Sequence, residues 1–129
     1  MMSSKKRCDD VINPLEHDEQ VQFVQMVEAA YPAEVAALLF AIPNGTNKSV
    51  SAQAWFKAEG LRAGVPDLFF AYPHKGFAGL FIEMKRRRGG KVSPEQEAYI
   101  KALRERRYAV EVCRGCDEAF DRLAAYLGR

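Results

Sequence analysis

Cysteine is scarce in this sequence: Cys8, Cys113 and Cys116 are the only three in 129 residues. So small and odd a number builds no disulfide framework. No apolar run approaches the length of a membrane span, and Met1 to Asp10 lacks the apolar stretch of a signal peptide. These absences lead us to expect a reduced, cytoplasmic protein, in a bacterial or phage-infected host cell. Histidine occurs only at His17 and His74, and the sequence identifies no nucleophile–base partner for either. His74 reads as a surface residue of a turn or a minor DNA contact. Cys113-Arg-Gly-Cys116 has C-x-x-C spacing, but Cys8, His17 and His74 do not complete a zinc site at a recognisable spacing. The two cysteines are read as structural. Repeats and low-complexity segments are also missing.

What remains is an ordinary globular composition, 48% apolar and 28% charged, of single-domain size. The expected organisation is an N-terminal tail over residues 1–14 and one domain over 15–129. The net charge of +2 hides an asymmetry. Cys8 to Asn47 contains seven acidic residues and no Lys or Arg, whereas Lys85 to Arg107 carries a net +6. Such a run is usually a solvated face with internal ion pairs. Clustered beside a strand exit, it also fits a polyanionic ligand such as nucleic acid.

Helical spacing of Val21, Phe23, Val24 and Val27 predicts a helix from Leu15 to Tyr31, stopped by Pro32. Leu38 to Ile42 reads as a strand ended by Pro43-Asn44-Gly45. Ser49 or Ser51 can cap a helix reaching Glu59, with Gly60 as its stop. Asp67–Tyr72 and Gly79–Lys85 are strands joined by a turn. Ser93-Pro94-Glu95-Gln96 is a helix start, with a helix expected to about Arg106. A strand over Tyr108–Cys113 and a helix over Asp117–Leu127, with Ala119, Phe120, Leu123 and Leu127 inward, complete an α/β order.

Glu83 and Lys85 alternate with Met84, so the two charges share a strand face, their Cα atoms roughly 6.6 Å apart. If the Asp67 strand pairs with this one, Asp67 approaches Glu83. Two carboxylates held together repel unless a proton or cation neutralises them, which suits Mg²⁺ or Mn²⁺. A neighbouring lysine could orient water and stabilise charge on a phosphate. Pro-Asp is also a common turn, and Glu-x-Lys a common surface pair; adjacent strands, flanking glycines and the basic run give the pattern its weight.

"GLRAGVPDLFF", "GLFIEMKRRRGGKVSPEQ" and "YAVEVCRG" together resemble the virus-type replication-repair nuclease (VRR-NUC) domain of the PD-(D/E)XK nuclease superfamily, over about Glu16 to Leu127. The resemblance implies a restriction-endonuclease-like αβββαβ core with a mixed central sheet flanked by helices, and one extra helix between strands 1 and 2. It implies Asp67 and Glu83 as metal-binding carboxylates, with the backbone carbonyl of Met84 as a further metal contact and Lys85 as the catalytic lysine. Glu19 matches the helical acid that related nucleases add, though it also reads as an exposed glutamate beside Asp18. Gln96 matches a family glutamine, though it equally fits a capping partner of Ser93. Asn44, in the "IPNG" turn, is a candidate site or DNA contact. Arg62, Arg86, Arg87, Arg88 and Lys91 are the expected phosphate contacts, which give affinity rather than sequence choice. Trp55 and Phe56 read as core or subunit-contact residues rather than base-stacking platforms.

The expected function is that of a Mg²⁺- or Mn²⁺-dependent DNA endonuclease acting as a homodimer. The resemblance points to structure-selective cutting of branched DNA such as Holliday junctions, a DNA-repair activity. A non-catalytic nucleic-acid-binding module and a restriction-like, sequence-specific nuclease are the alternatives.

Overall fold

The computed structural model describes residues 13–43 and 49–128. Residues 1–12 of the expected tail, and Asn44, lie outside them. Helix α1 (Glu16–Ala30) opens with Glu16, Asp18 and Glu19, whose charges suit a helix N-terminus. Its buried stripe is Glu19, Phe23 and Val27, at four-residue intervals; Val21, expected inward, is exposed. Leu15 and Tyr31 are extended residues flanking the helix rather than part of it. After Pro32 a single helical turn, α2 (Ala33–Ala36), occupies the start of the apolar run that leads into strand β1 (Leu39–Ala41).

Helix α3 (Val50–Ala58) starts at Ser49, whose hydroxyl accepts from the Ala52 N–H at 3.2 Å. Gly60, at φ +108°, follows its end. Strands β2 (Leu68–Phe70) and β3 (Leu80–Lys85) are antiparallel, and β2 is shorter than the expected Asp67–Tyr72. Pro66 has no N–H to offer at the position opposite Met84, so the ladder stops there. Helix α4 (Pro94–Arg104) crosses back to strand β4 (Ala109–Arg114), which pairs parallel with β3. Helix α5 (Cys116–Tyr126) closes the fold. Among the described residues the sheet runs β1-β2-β3-β4, mixed and flanked by helices, as expected.

One face of the sheet, with Leu39, Leu68, Phe70, Leu80, Ile82 and Met84, packs with Phe23, Val27, Ala119 and Leu123 into the core. On the other face Phe40, Phe69, Phe81 and Tyr108 form an aromatic row, with Phe69 and Phe81 stacked at 4.3 Å. Asp67, Glu83 and Lys85 continue that second face towards the C-terminal end of β3. Among the described residues no helix is long and apolar enough to cross a membrane.

Candidate active site

Loss of the ladder at Pro66 leaves the Met84 N–H without a strand partner. The Asp67 carboxylate takes its place, with Oδ2 accepting from Met84 N at 2.7 Å. This contact turns Asp67 towards Glu83, and the two carboxyls lie close enough to shift one another's pKa. Glu83 is 3% exposed and Lys85 7%. Burial, then the charge of Asp67, pushes the Glu83 carboxyl up to about 8. Burial also raises Asp67, against the lowering effects of the Met84 N–H, Glu83 and Lys85. Two carboxyls placed in this way resist double ionisation in the absence of a cation.

Gln96 joins this pair to Lys85. Its Oε1 accepts from Lys85 Nζ at 3.0 Å and from the Ser93 N–H at 2.9 Å, while its Nε2 donates to Glu83 Oε2 at 2.9 Å. Lys85 Nζ lies 3.5 Å from the same Glu83 oxygen. The Ser93 N–H can only donate, so it fixes which end of the amide faces the helix and which faces Glu83. Gln96 is thus both the capping-box partner and part of the charged cluster; the two readings coexist in one side chain.

Gly64 holds the two halves of the motif together. A Cβ there would sit 2.4 Å from the Glu95 carbonyl oxygen, and its φ of +89° also favours glycine. The loop before Asp67 therefore lies directly against the start of α4. Between them opens a cleft of about 550 Å³, lined by Asp67, Glu83, Lys85 and Gln96 together with Glu16, Gln53, Lys57 and Arg62.

Glu16, and not Glu19, is the acid of α1 that lines the cleft. Burial, then the charge of Asp67, raises its carboxyl. Glu19 is turned away from the cleft and fully buried. Its Oε2 accepts from Arg87 Nε at 2.7 Å, and its Oε1 from the Cys116 N–H, an orphan donor at the start of α5, at 2.9 Å. Burial opposes ionisation of Glu19, but these contacts outweigh it and lower its pKa. The hydrogen bond to Glu19 in turn raises Arg87.

The arginine run is similarly divided. Arg87 serves Glu19, and Arg86 donates to the carbonyls of Asn13 and Pro14. Arg88 exchanges backbone hydrogen bonds with the Asn13 side chain, so Asn13 and Pro14 are anchored rather than part of a loose tail. Arg114 donates to the carbonyls of Arg86, Gly89 and Gly90 and so braces the loop. Of the expected phosphate contacts, Arg86 and Arg87 are engaged internally in this way, Arg88 and Lys91 are exposed, and Arg62 lines the cleft. Trp55 is 69% exposed and so is no core residue, which leaves the subunit-contact half of its reading, while Phe56 is half-buried. His74 lies beyond the other end of β2, between Tyr72 and Tyr126, and His17 is exposed. Cys113 and Cys116 are buried free thiols, with burial pushing Cys113 up to about 12.

Glu16 and Lys57 were missed because helix rotation and the approach of α3 are not visible in local spacing. The helical period and the run of acids at Glu16, Asp18 and Glu19 were the available signal.

A mixed sheet delivering Pro66-Asp67 and Glu83-Met84-Lys85 to one cleft defines the PD-(D/E)XK type of nuclease core. The family model of the VRR-NUC domain matches residues 4–117, and the chain belongs to that family. A solved structure described as a "VRR_NUC domain protein" superposes with a TM-score of 0.76, covering 87% of each chain at 23% identity; that likeness carries the fold. Among curated proteins none matches the chain.

Nucleases of this family typically use divalent metals. Among the described residues no three His, Cys, Asp or Glu side chains form a ready-made metal cluster. The donor chemistry nevertheless fits a hard cation: the carboxyls of Asp67 and the buried Glu83 line one cleft with that of Glu16.

Proposed function

We propose that the protein is a Mg²⁺- or Mn²⁺-dependent endonuclease that hydrolyses phosphodiester bonds of DNA. The observation that carries this reading is the convergence of the half-buried Asp67 and the buried Glu83 and Lys85 on one open cleft, with Lys85 Nζ 3.5 Å from Glu83. A buried carboxylate pair is costly to ionise, and a divalent cation supplies the missing positive charge.

Asp67 and Glu83 would hold the metal. Strand geometry directs the N–H and C=O of one residue to the same edge, so the Met84 carbonyl faces the Asp67 side with its N–H. Glu16 is a further acid from the cleft wall. When bound, the metal would polarise the phosphate and lower the pKa of water. The chain's own part is to keep Lys85 in place: Gln96 and Glu83 fix Nζ where it can orient water and stabilise negative charge on the phosphate. Gln96 positions both Glu83 and Lys85 through its amide.

A small domain with a single Asp67–Glu83–Lys85 cluster cuts two strands only as a pair of sites, which favours a homodimer. We further propose selectivity for branched DNA such as Holliday junctions, in the manner of DNA repair. Linear, flapped and four-way DNAs incubated with Mg²⁺ or Mn²⁺ test these readings together. Branch-selective cutting that Lys85→Ala abolishes supports them. A wild type inert on every DNA and metal sinks the enzyme reading, and cutting of linear duplex at one defined sequence sinks the branch selectivity.

A further inference from the structure

The cleft has a second wall whose chemistry differs from that of the metal-binding side. It is built by α3 and the loop that follows, which contribute Gln53, Lys57 and Arg62. Gln53 and Lys57 are four residues apart and so share one side of the helix. Trp55 projects from the opposite side, about 200° round from Gln53. Among the described residues none of α3's side chains is buried, and Val50 is 85% exposed. A nine-residue helix gains little from its own hydrogen bonds, so an exposed one with a cationic side is better explained by what it faces than by packing.

Most of the surrounding cations already have partners within the chain. Arg86, Arg87 and Arg114 are all engaged by carbonyls or by Glu19. Lys85 is held by Gln96 and Glu83. The side chains of Lys57 and Arg62, the other cations lining the cleft, make no hydrogen bond or ion pair with the described residues. A cleft with four acidic residues, Glu16, Asp67, Glu83 and Glu95, repels a polyanion unless separate cations receive the flanking charges. We infer that Lys57 and Arg62 are a phosphate-binding wall. They hold backbone phosphates flanking the phosphodiester presented to Asp67, Glu83 and Lys85. This inference rests on the proposed DNA-cutting function.

The test is binding of a fluorescein-labelled 20-base-pair DNA duplex by the full chain at a series of NaCl concentrations. Binding is measured in the Lys85→Ala background, with Mg²⁺ present. Two lost phosphate contacts lower the slope of log K against log [NaCl] by about 1.8. Lys57→Ala with Arg62→Ala should do this, whereas Lys57→Arg with Arg62→Lys should retain the slope. Arg106→Ala with Arg107→Ala is the control, because these residues precede β4 at the end of the sheet remote from Lys85, and it should leave the slope unchanged. The exposed positions of Lys57 and Arg62 make the double alanine variant compatible with folding, which circular dichroism checks. An unchanged slope in a folded double alanine variant overturns the inference, as does an equal loss in the control. Cleavage by the wild type separates the two readings. If it cuts DNA while the slope is unchanged, only the phosphate wall fails; if it cuts nothing while the slope falls, the wall stands and the nuclease reading fails.

Discussion

Glu19 and Glu83 are both buried carboxyls with a cation at hand, yet they are held in opposite electrical states. Glu19 meets a guanidinium and the free N–H at the start of α5, and its pKa falls. Glu83 meets Lys85 and a donating amide, but also a second carboxyl, and its pKa rises to about 8. Burial is common to both; the partners decide the outcome. One carboxylate is electrostatically satisfied and ties α1 to the loop after β3 and to α5. The other remains short of positive charge at the edge of a cleft, as a cation site requires.

The largest expected effect breaks this contrast at the site. Glu83→Gln should reduce DNA cleavage by at least about a thousandfold, in line with losses seen when catalytic machinery is removed. It should nevertheless raise the melting temperature of the metal-free protein at pH 8. A glutamine there can accept from Gln96 and Lys85 and donate to Asp67 without a charge to desolvate. Single-turnover cleavage and thermal melts in EDTA check both halves.

Glu19→Gln should do the reverse. Loss of charge opposite Arg87 and of one strong acceptor should cost about 2 kcal/mol of stability, read by urea denaturation. Cleavage by the fraction still folded should fall by less than about tenfold, a far smaller loss than for Glu83→Gln. Glu16→Gln is the matched comparison, with cleavage lowered and stability hardly moved.

The pH dependence separates the same two groups. Glu83 has a folded pKa above its ordinary value, so the native state binds the extra proton between the usual carboxyl range and about 8. Stability of the metal-free protein should therefore fall as pH rises through that window. Glu19 has a lowered folded pKa and contributes stability that is lost as pH falls into the acid range. Urea midpoints in EDTA from pH 4 to 9 should show the first slope disappear in Glu83→Gln, and Mg²⁺ should flatten it in the wild type.

Gly64→Ala should cost about 1–2 kcal/mol, because both its positive φ and the 2.4 Å approach to Glu95 oppose a Cβ. It should also slow cleavage by moving α4, and with it Gln96, from Asp67. Ser93→Ala is the mildest change, about 1 kcal/mol in a thermal melt. It removes the hydroxyl cap but leaves the backbone N–H that orients Gln96.

Much of the fold was legible because its signals are local. Ser93-Pro94-Glu95-Gln96 announced a capped helix, and the runs at Leu68 and Leu80 announced adjacent strands. The pairing of Asp67 with Glu83 and Lys85 followed from strand alternation. Less legible were α2, a single helical turn within an apolar run, and the short extent of β2, which starts only at Leu68 and ends at Phe70. Neither depends on spacing alone.

The sequence by itself determined which residue types reach the strand ends, because alternation and capping act over a few residues. Tertiary structure decided which of them face the cleft. Glu16 and Glu19 differ by only about 60° round α1, and the packing of Phe23 and Val27 sets the rotation that selects Glu16. The same packing buries Glu19, obliges Arg87 to neutralise it, and withdraws that arginine from the basic run. Charge in a sequence is a count; only a folded chain assigns each charge its partner, because Coulomb and desolvation energies depend on distances that spacing does not contain.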